Sequence, residues 1–262
     1  MNMNDNKALL AVSFGTSYPE TRARTIDAIE AVLAAAFPDR RPYRAWTSGI
    51  IRRKLKASGI AVDSVEEALA RMAGDGISDV LVQPTHLLIG EEYDRLCRSL
   101  AEGKGPFASV KVGFPLLAGE EDVAALAELL PSLCPAMGKN DLMVWMGHGS
   151  GTLRIPVYEL LDGMLAANGR TDHAVGTVEY TPGFDAVLEK VRRRRPVRVF
   201  LAPLMVVAGD HAVNDMAGNG PDSWKTRLLA EGVEVECVLK GLGEYEAVRD
   251  LYVAHARKAK TI

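Results

Sequence analysis

The chain has 262 residues, with 31 basic and 34 acidic side chains, a formal net charge of −3, and 48% hydrophobic against 25% charged residues. That balance excludes the basic footprint of a nucleic-acid binder, and no apolar run approaches the roughly 20 residues needed to span a bilayer. Three widely spaced cysteines, Cys97, Cys134 and Cys237, form no CxxC pair, which argues against a disulfide framework or a structural zinc site and for a reducing compartment. The first residues carry one lysine, Lys7, before a short apolar run, 8–12. That run is too short for a secretory leader, so a cytoplasmic protein is expected.

Along the chain, apolar runs alternate with longer amphipathic stretches, which predicts βαβ units built on parallel sheets. The predicted strands are 9–14, 43–46, 80–83, 110–114, 142–146, 175–179, 197–202 and 233–238. Residues 20–36 read as one helix, with Ile26, Ile29, Leu33 and Phe37 at helical spacing and Pro38-Asp39 as its stop. Residues 156–167 and 245–258 read the same way. The run Arg192-Arg193-Arg194-Arg195 is the solvated end of a helix, placed to complement its dipole.

The eight strands fall into two sets of four that resemble each other. A shift of 134 positions carries Phe14-Gly15-Thr16 onto His148-Gly149-Ser150, Ala45 onto Glu179, and Trp46-Thr47-Ser48-Gly49 onto Tyr180-Thr181-Pro182-Gly183. A shift of 119 carries Val80-Leu81-Val82-Gln83-Pro84 onto Val199-Phe200-Leu201-Ala202-Pro203, Gly90 onto Gly209 and Glu92 onto His211. The smaller shift predicts a longer helical insertion in the first half. The expected architecture is α/β, with two similar halves, 1–135 and 136–262, each a parallel four-stranded sheet flanked by helices and joined near 131–140. Ligands in such folds collect beyond the carboxyl ends of the strands and in the cleft between halves.

Three polar residues stand at equivalent strand ends of the second half: His148, Glu179 and His211. Two imidazoles and a carboxylate suit a borderline divalent metal such as Co²⁺, Fe²⁺, Ni²⁺ or Zn²⁺, and an incomplete shell leaves room for a substrate's own ligand atoms. The first-half equivalents are Phe14, Ala45 and Glu92, so the second half is expected to carry the chemistry. Asp215, four residues after His211, either holds the second imidazole nitrogen or is a plain surface aspartate. The segment Ser13-Phe14-Gly15-Thr16-Ser17 either donates to an anion or caps a helix. Arg52, Arg53 and Lys54 either meet substrate carboxylates or form the wet face of a helix. His86 is a candidate accessory ligand, and His173 and His255 are expected on the surface. There is no Walker loop and no GxSxG elbow, so neither a nucleotide nor a serine-hydrolase reaction is implied.

Several segments together resemble the class II tetrapyrrole chelatases, and most closely the anaerobic sirohydrochlorin cobaltochelatase (CbiK-type) family. They are Val12-Ser13-Phe14-Gly15-Thr16-Ser17, Trp46-Thr47-Ser48, Gln83-Pro84-Thr85-His86 with Gly90-Glu91-Glu92-Tyr93, Met146-Gly147-His148-Gly149, Val178-Glu179-Tyr180 and the run from Gly209 to Gly218. The resemblance implies flavodoxin-like or periplasmic-binding-like halves, with His148, Glu179 and His211 as both metal ligands and catalytic groups. It further implies ATP-independent insertion of Co²⁺ into sirohydrochlorin in anaerobic cobalamin biosynthesis. Phe14, Ser13, Glu92 and Arg52 are then the expected contacts to the bound macrocycle, with Leu87, Leu88 and Met205 as further apolar wall. Insertion of Fe²⁺ by the same fold and a non-catalytic tetrapyrrole or metal carrier are the alternatives. The oligomeric state stays open, a homo-oligomer included.

Overall fold

The run Ala8-Leu9-Leu10-Ala11-Val12, at most 3% exposed, is too continuously apolar for a strand with one wet face and behaves as the centre of a covered parallel sheet. The computed structural model, which describes residues 6–262, places it in β1 (Lys7–Ser13). Residues 1–5, which enter the leader argument above, lie outside the described residues. The chain forms two compact units, one running to Ala118 and taking back Glu246–Ile262, the other Gly119–Tyr245.

In the first unit β1 is followed by α1 (Pro19–Arg24), α2 (Ile26–Ala36), β2 (Arg41–Trp46), α3 (Gly49–Ala57), α4 (Val65–Gly74), β3 (Asp79–Pro84), α5 (Glu91–Gly103) and β4 (Ser109–Val112). The sheet order is β2-β1-β3-β4, all parallel. The single helix expected over 20–36 is broken at Thr25. Its hydroxyl donates to the Thr21 carbonyl at 2.6 Å while its dihedrals, φ −115° and ψ −80°, leave the helical region, a local side-chain bond competing with the helix ladder. The helical insertion expected in the first half is the pair α3 and α4 between β2 and β3. Ser48 caps α3 by accepting from the Ile51 N–H, and Ser64 with Glu67 forms a capping box on α4, each cap contributing about 1 kcal/mol.

In the second unit the order is α6 (Glu120–Leu129), β5 (Asp141–Gly147), α7 (Val157–Ala167), β6 (His173–Thr177), α8 (Phe184–Arg194), β7 (Arg198–Pro203), α9 (Trp224–Leu229) and β8 (Glu234–Cys237). The sheet runs β6-β5-β7-β8, again all parallel. Second, first, third, fourth is the strand order of the first unit too, so the repeat read from the sequence is a repeat of topology. Each unit has its own apolar core, one around Leu10, Val82, Leu96 and Met72, the other around Val144, Leu201, Val187 and Trp224. Burying such side chains contributes about 1.5–3 kcal/mol apiece.

The units depart from the expected 1–135 and 136–262 halves at both ends of the second one. The helix α6 packs on α7 and so joins the second unit. Past Tyr245 the chain returns to the first, as α10 (Glu246–Arg257) and a ninth strand, β9 (Lys260–Thr261), which pairs antiparallel with β4. The Tyr252 hydroxyl, fully buried on α10, donates to the Thr85 carbonyl at 2.9 Å. No helix among the described residues is long and apolar enough to cross a membrane. None of the three cysteines forms a disulfide, and Arg192, at the wet end of α8, pairs with Glu231.

His173 and His255, expected on the surface, are buried instead. His173 opens β6 at 1% exposure and accepts from Trp145 Nε1–H at 3.1 Å, and burial pulls its imidazole down to a pKa of about 4. His255, at 6% exposure, donates from Nδ1 to the Phe114 carbonyl at 3.2 Å. A lone histidine in a polar-looking segment gives no sequence cue to an interior partner.

Candidate metal centre

Strand β5 lies centrally, and the chain leaves it first to β6 on one side and then to β7 on the other. The carboxyl end of such a strand is the switch point where crevices open in α/β sheets. The three residues singled out in the sequence follow these three strands. His148 comes directly after β5, and Gly149 behind it turns the backbone at φ +91°; its counterpart in the repeat, Gly15, has φ +104°. A Cβ at Gly149 would stand 3.1 Å from the Glu179 carbonyl oxygen, so glycine there serves both the turn and the close approach of two loops.

Glu179 was expected as the last residue of a strand, but β6 stops at Thr177. The Thr177 hydroxyl donates to the Tyr180 carbonyl at 2.7 Å and its N–H to the Pro182 carbonyl at 2.7 Å, which folds 178–182 back on the strand end. The Glu179 N–H then donates to the His148 carbonyl at 3.0 Å, tying the two loops backbone to backbone. His211 opens a wide helical turn, Ala212–Met216, in which the Ala217 N–H reaches back to the Ala212 carbonyl. Such π-turns recur at functional sites. Ala212 and Met216 are buried in the second core, which anchors the turn.

These placements bring the three side chains together. One ligand atom from each of His148, Glu179 and His211 lies within 4.8 Å of the others, the one such group of three among the described residues. His148 Nε2 is 3.9 Å from Glu179 Oε1, and the two imidazole centroids are 4.5 Å apart at 71°. Three ligands at about 2.1 Å and tetrahedral angles stand about 3.4 Å from one another, so the side chains must draw in by about an ångström to seat a metal.

The outer nitrogens fix the chemistry of the inner ones. His148 Nδ1–H donates to the Gly149 carbonyl at 2.9 Å, and His211 Nδ1–H to Asp215 Oδ2 at 2.6 Å. A carbonyl only accepts, so in the neutral ring the lone pair resides on Nε2. Asp215 is thus bonded to His211 Nδ1–H, the arrangement an orienting partner would have were that imidazole to hold a metal. All three side chains remain open to solvent, at 47%, 51% and 34%.

The remaining candidates separate. Phe14 is half exposed after β1. Glu92, in the first turn of α5, pairs with Arg95 at 3.3 Å. Ser13 and Arg52, expected as ligand contacts, both have partners within the protein. The Ser13 hydroxyl is 1% exposed and bonded to Thr85 Oγ1 at 2.7 Å, while Arg52 donates to the Val62 carbonyl and pairs with Glu67. Arg53 and Lys54 are exposed on the wet face of α3. His86 is buried, with its Nε2 3.4 Å from Thr47 Oγ1, and burial lowers its pKa to about 4; it stands outside the group of three. Leu87, Leu88 and Met205 are partly buried. Sequence reasoning missed Tyr158 on α7, whose hydroxyl accepts from the Gly149 N–H at 3.3 Å and steadies the turn behind His148. Its helical spacing marks it as core, and nothing in the sequence signals the polar contact.

Comparison with known proteins identifies the family. The family model for cobalt chelatase (CbiK) matches residues 7–261. The sirohydrochlorin cobaltochelatase of Salmonella typhimurium is 41% identical over 254 residues, covering 97% of this chain and 96% of that protein. Sirohydrochlorin cobaltochelatase CbiKC of Nitratidesulfovibrio vulgaris is 34% identical over 258 residues, covering 97% and 90%. Among solved structures, SirB from Bacillus subtilis with Fe³⁺ shares the fold at a TM-score of 0.65 and 14% identity, over 97% of this chain and 95% of that one. CbiX, described as the terminal enzyme of sirohaem biosynthesis in denitrifying bacteria, gives 0.51 at 18% identity, over 96% and 99%. The chain belongs to the cobalt chelatase (CbiK) family.

Proposed function

We propose that this chain is a sirohydrochlorin cobaltochelatase that inserts Co²⁺ without nucleotide hydrolysis, using His148, Glu179 and His211. The observation that carries the assignment of residues is the convergence of two imidazoles and a carboxylate beyond the carboxyl ends of three adjacent strands. Co²⁺ is the substrate ion, and the tetrapyrrole its acceptor. Insertion forms bonds from cobalt to the pyrrole nitrogens and releases the two inner N–H protons, so the site must hold a cation briefly and accept protons near neutral pH. Neutral imidazoles do both, since the lone pair that binds the ion is the one that takes a proton. Glu179 offsets the charge of the entering ion. The open faces of the three side chains leave coordination positions for the incoming pyrrole nitrogens. Three cysteines outside any disulfide fit a reducing, cytoplasmic setting.

The same donor set takes Fe²⁺, because these ligands do not discriminate among mid-row divalent ions, and iron is the ion named with SirB. The test is anaerobic incubation of sirohydrochlorin with Co²⁺, Fe²⁺ or Ni²⁺ at substoichiometric protein, followed by absorption. Many turnovers with Co²⁺ are expected. A spectral change that stops at one equivalent of protein identifies a carrier and refutes the assignment, and a clear rate preference for Fe²⁺ reassigns the metal.

A further inference from the structure

The repeat places an aromatic residue at matching positions of each unit, Trp46 as the last residue of β2 and Tyr180 three residues past β6, and the two are used in opposite ways. Trp46 is fully buried and lies over Gly15, where an added Cβ would come within 2.6 Å of its ring. Tyr180 is 55% exposed, one of the few large apolar side chains left in solvent among the described residues. Its backbone sits at φ +150°, a region that side-chain-bearing residues seldom adopt and glycine adopts freely. The conformation is held by the Thr177 hydroxyl on the Tyr180 carbonyl. A non-glycine residue kept in such a conformation, with its ring turned out of the core, signals a role outside folding.

The ring has a defined seat. A Cβ added at Gly151 would meet Tyr180 Cε1 at 2.9 Å and its hydroxyl at 3.3 Å, so the ring edge rests on the loop that follows His148 while its backbone continues the loop carrying Glu179. It is therefore a flat, partly apolar surface spanning the two loops that bring the metal-handling groups.

We propose that Tyr180 is a macrocycle-binding residue whose ring face packs on the tetrapyrrole and sets its position over His148, Glu179 and His211. The proposal rests on the chelatase reading above and adds to it a residue that handles the organic substrate and leaves the ion to the other three. The strained backbone is what presents the ring, because a relaxed φ would redirect the side chain away from Gly151.

Three titrations test it: metal-free sirohydrochlorin followed anaerobically by absorption, Co²⁺ alone, and thermal unfolding, each on wild type, Tyr180→Gly and Tyr180→Phe. Glycine adopts the observed φ without penalty, so Tyr180→Gly is expected to melt at or above the wild-type temperature while its sirohydrochlorin affinity falls about tenfold and its Co²⁺ affinity stays within about twofold. Tyr180→Phe restores the ring face and is expected to recover sirohydrochlorin affinity to within about twofold of wild type. A Gly variant that binds sirohydrochlorin like wild type, melts lower or fails to fold, or loses Co²⁺ in parallel overturns the proposal, as does a Phe variant as weak as Gly. Wild-type protein that binds no sirohydrochlorin overturns the chelatase assignment and this proposal together, whereas wild-type binding that both variants retain overturns this one alone.

Discussion

Replacing Asp215 by Asn isolates what the second imidazole nitrogen contributes. In the structure His211 Nδ1–H donates to Asp215 Oδ2 at 2.6 Å, a short bond to a charged acceptor. The amide of asparagine is nearly isosteric, but it lacks the negative charge that holds the Nδ1–H, and its NH₂ end can turn toward Nδ1 and select the tautomer in which Nε2 carries the proton. Loss of such an orienting partner lowers metal affinity by about 10–100-fold. The Asp215 carboxylate is 46% accessible, and solvent screens an exposed pair. The expectation therefore lies at the low end, about tenfold, equivalent to about 1.4 kcal/mol. The assay is anaerobic competition for Co²⁺ against a chromophoric chelator, alongside initial insertion rates and a double-mutant cycle with His211→Ala. If Asp215 acts only through His211, the Asn substitution adds nothing in the His211→Ala background. An Asp215→Asn protein that binds Co²⁺ and turns over like wild type, or a cycle with additive losses, refutes the orienting role.

Other outcomes follow from the same geometry. His148→Ala and His211→Ala are expected to abolish most insertion activity while leaving the circular dichroism spectrum and thermal midpoint unchanged, since both side chains are open to solvent; near-normal rates in either would remove that residue from the site. Gly149→Ala forces an L-residue to φ +91° with its Cβ 3.1 Å from the Glu179 carbonyl, so a loss of about 1–2 kcal/mol of stability and a lower insertion rate are expected by denaturant titration and steady-state assay. His86 and His173 have folded pKa values of about 4, below the ordinary 6.5, so the unfolded chain binds more protons between those values. Stability is then fully present above pH 6.5 and falls as pH drops toward 4, and a urea midpoint that stays constant from pH 7.5 to 5 would contradict the burial of these rings.

Much of the site was legible because strand ends are written in the sequence. An apolar run closing on Gly147-His148-Gly149 marks both the end of β5 and the polar group presented there, and the repeat made Glu179 and His211 stand out as replacements of Ala45 and Glu92. What stayed hidden depended on partners remote in sequence. The partner of the Ser13 hydroxyl is Thr85, 72 residues on. The interior partner of His173 is Trp145. The break at Thr25 comes from a hydroxyl whose competing bond leaves the hydrophobic period intact, and the two residues of β9 carry too little pattern to be read as a strand. The return of α10 to the first unit leaves no local trace either, because an amphipathic helix shows only that a face is covered.

That return bears on the order in which the molecule can be made. During synthesis residues 119–245 emerge as a self-contained body, whereas 6–118 must wait for α10 and β9 before Thr85 meets Tyr252 and β4 gains its antiparallel neighbour. The body encoded in the middle of the chain is thus equipped to fold ahead of the one encoded before it, and a nascent chain stopped near 245 would present a finished carrier of His148, Glu179 and His211 beside an unclosed amino-terminal sheet.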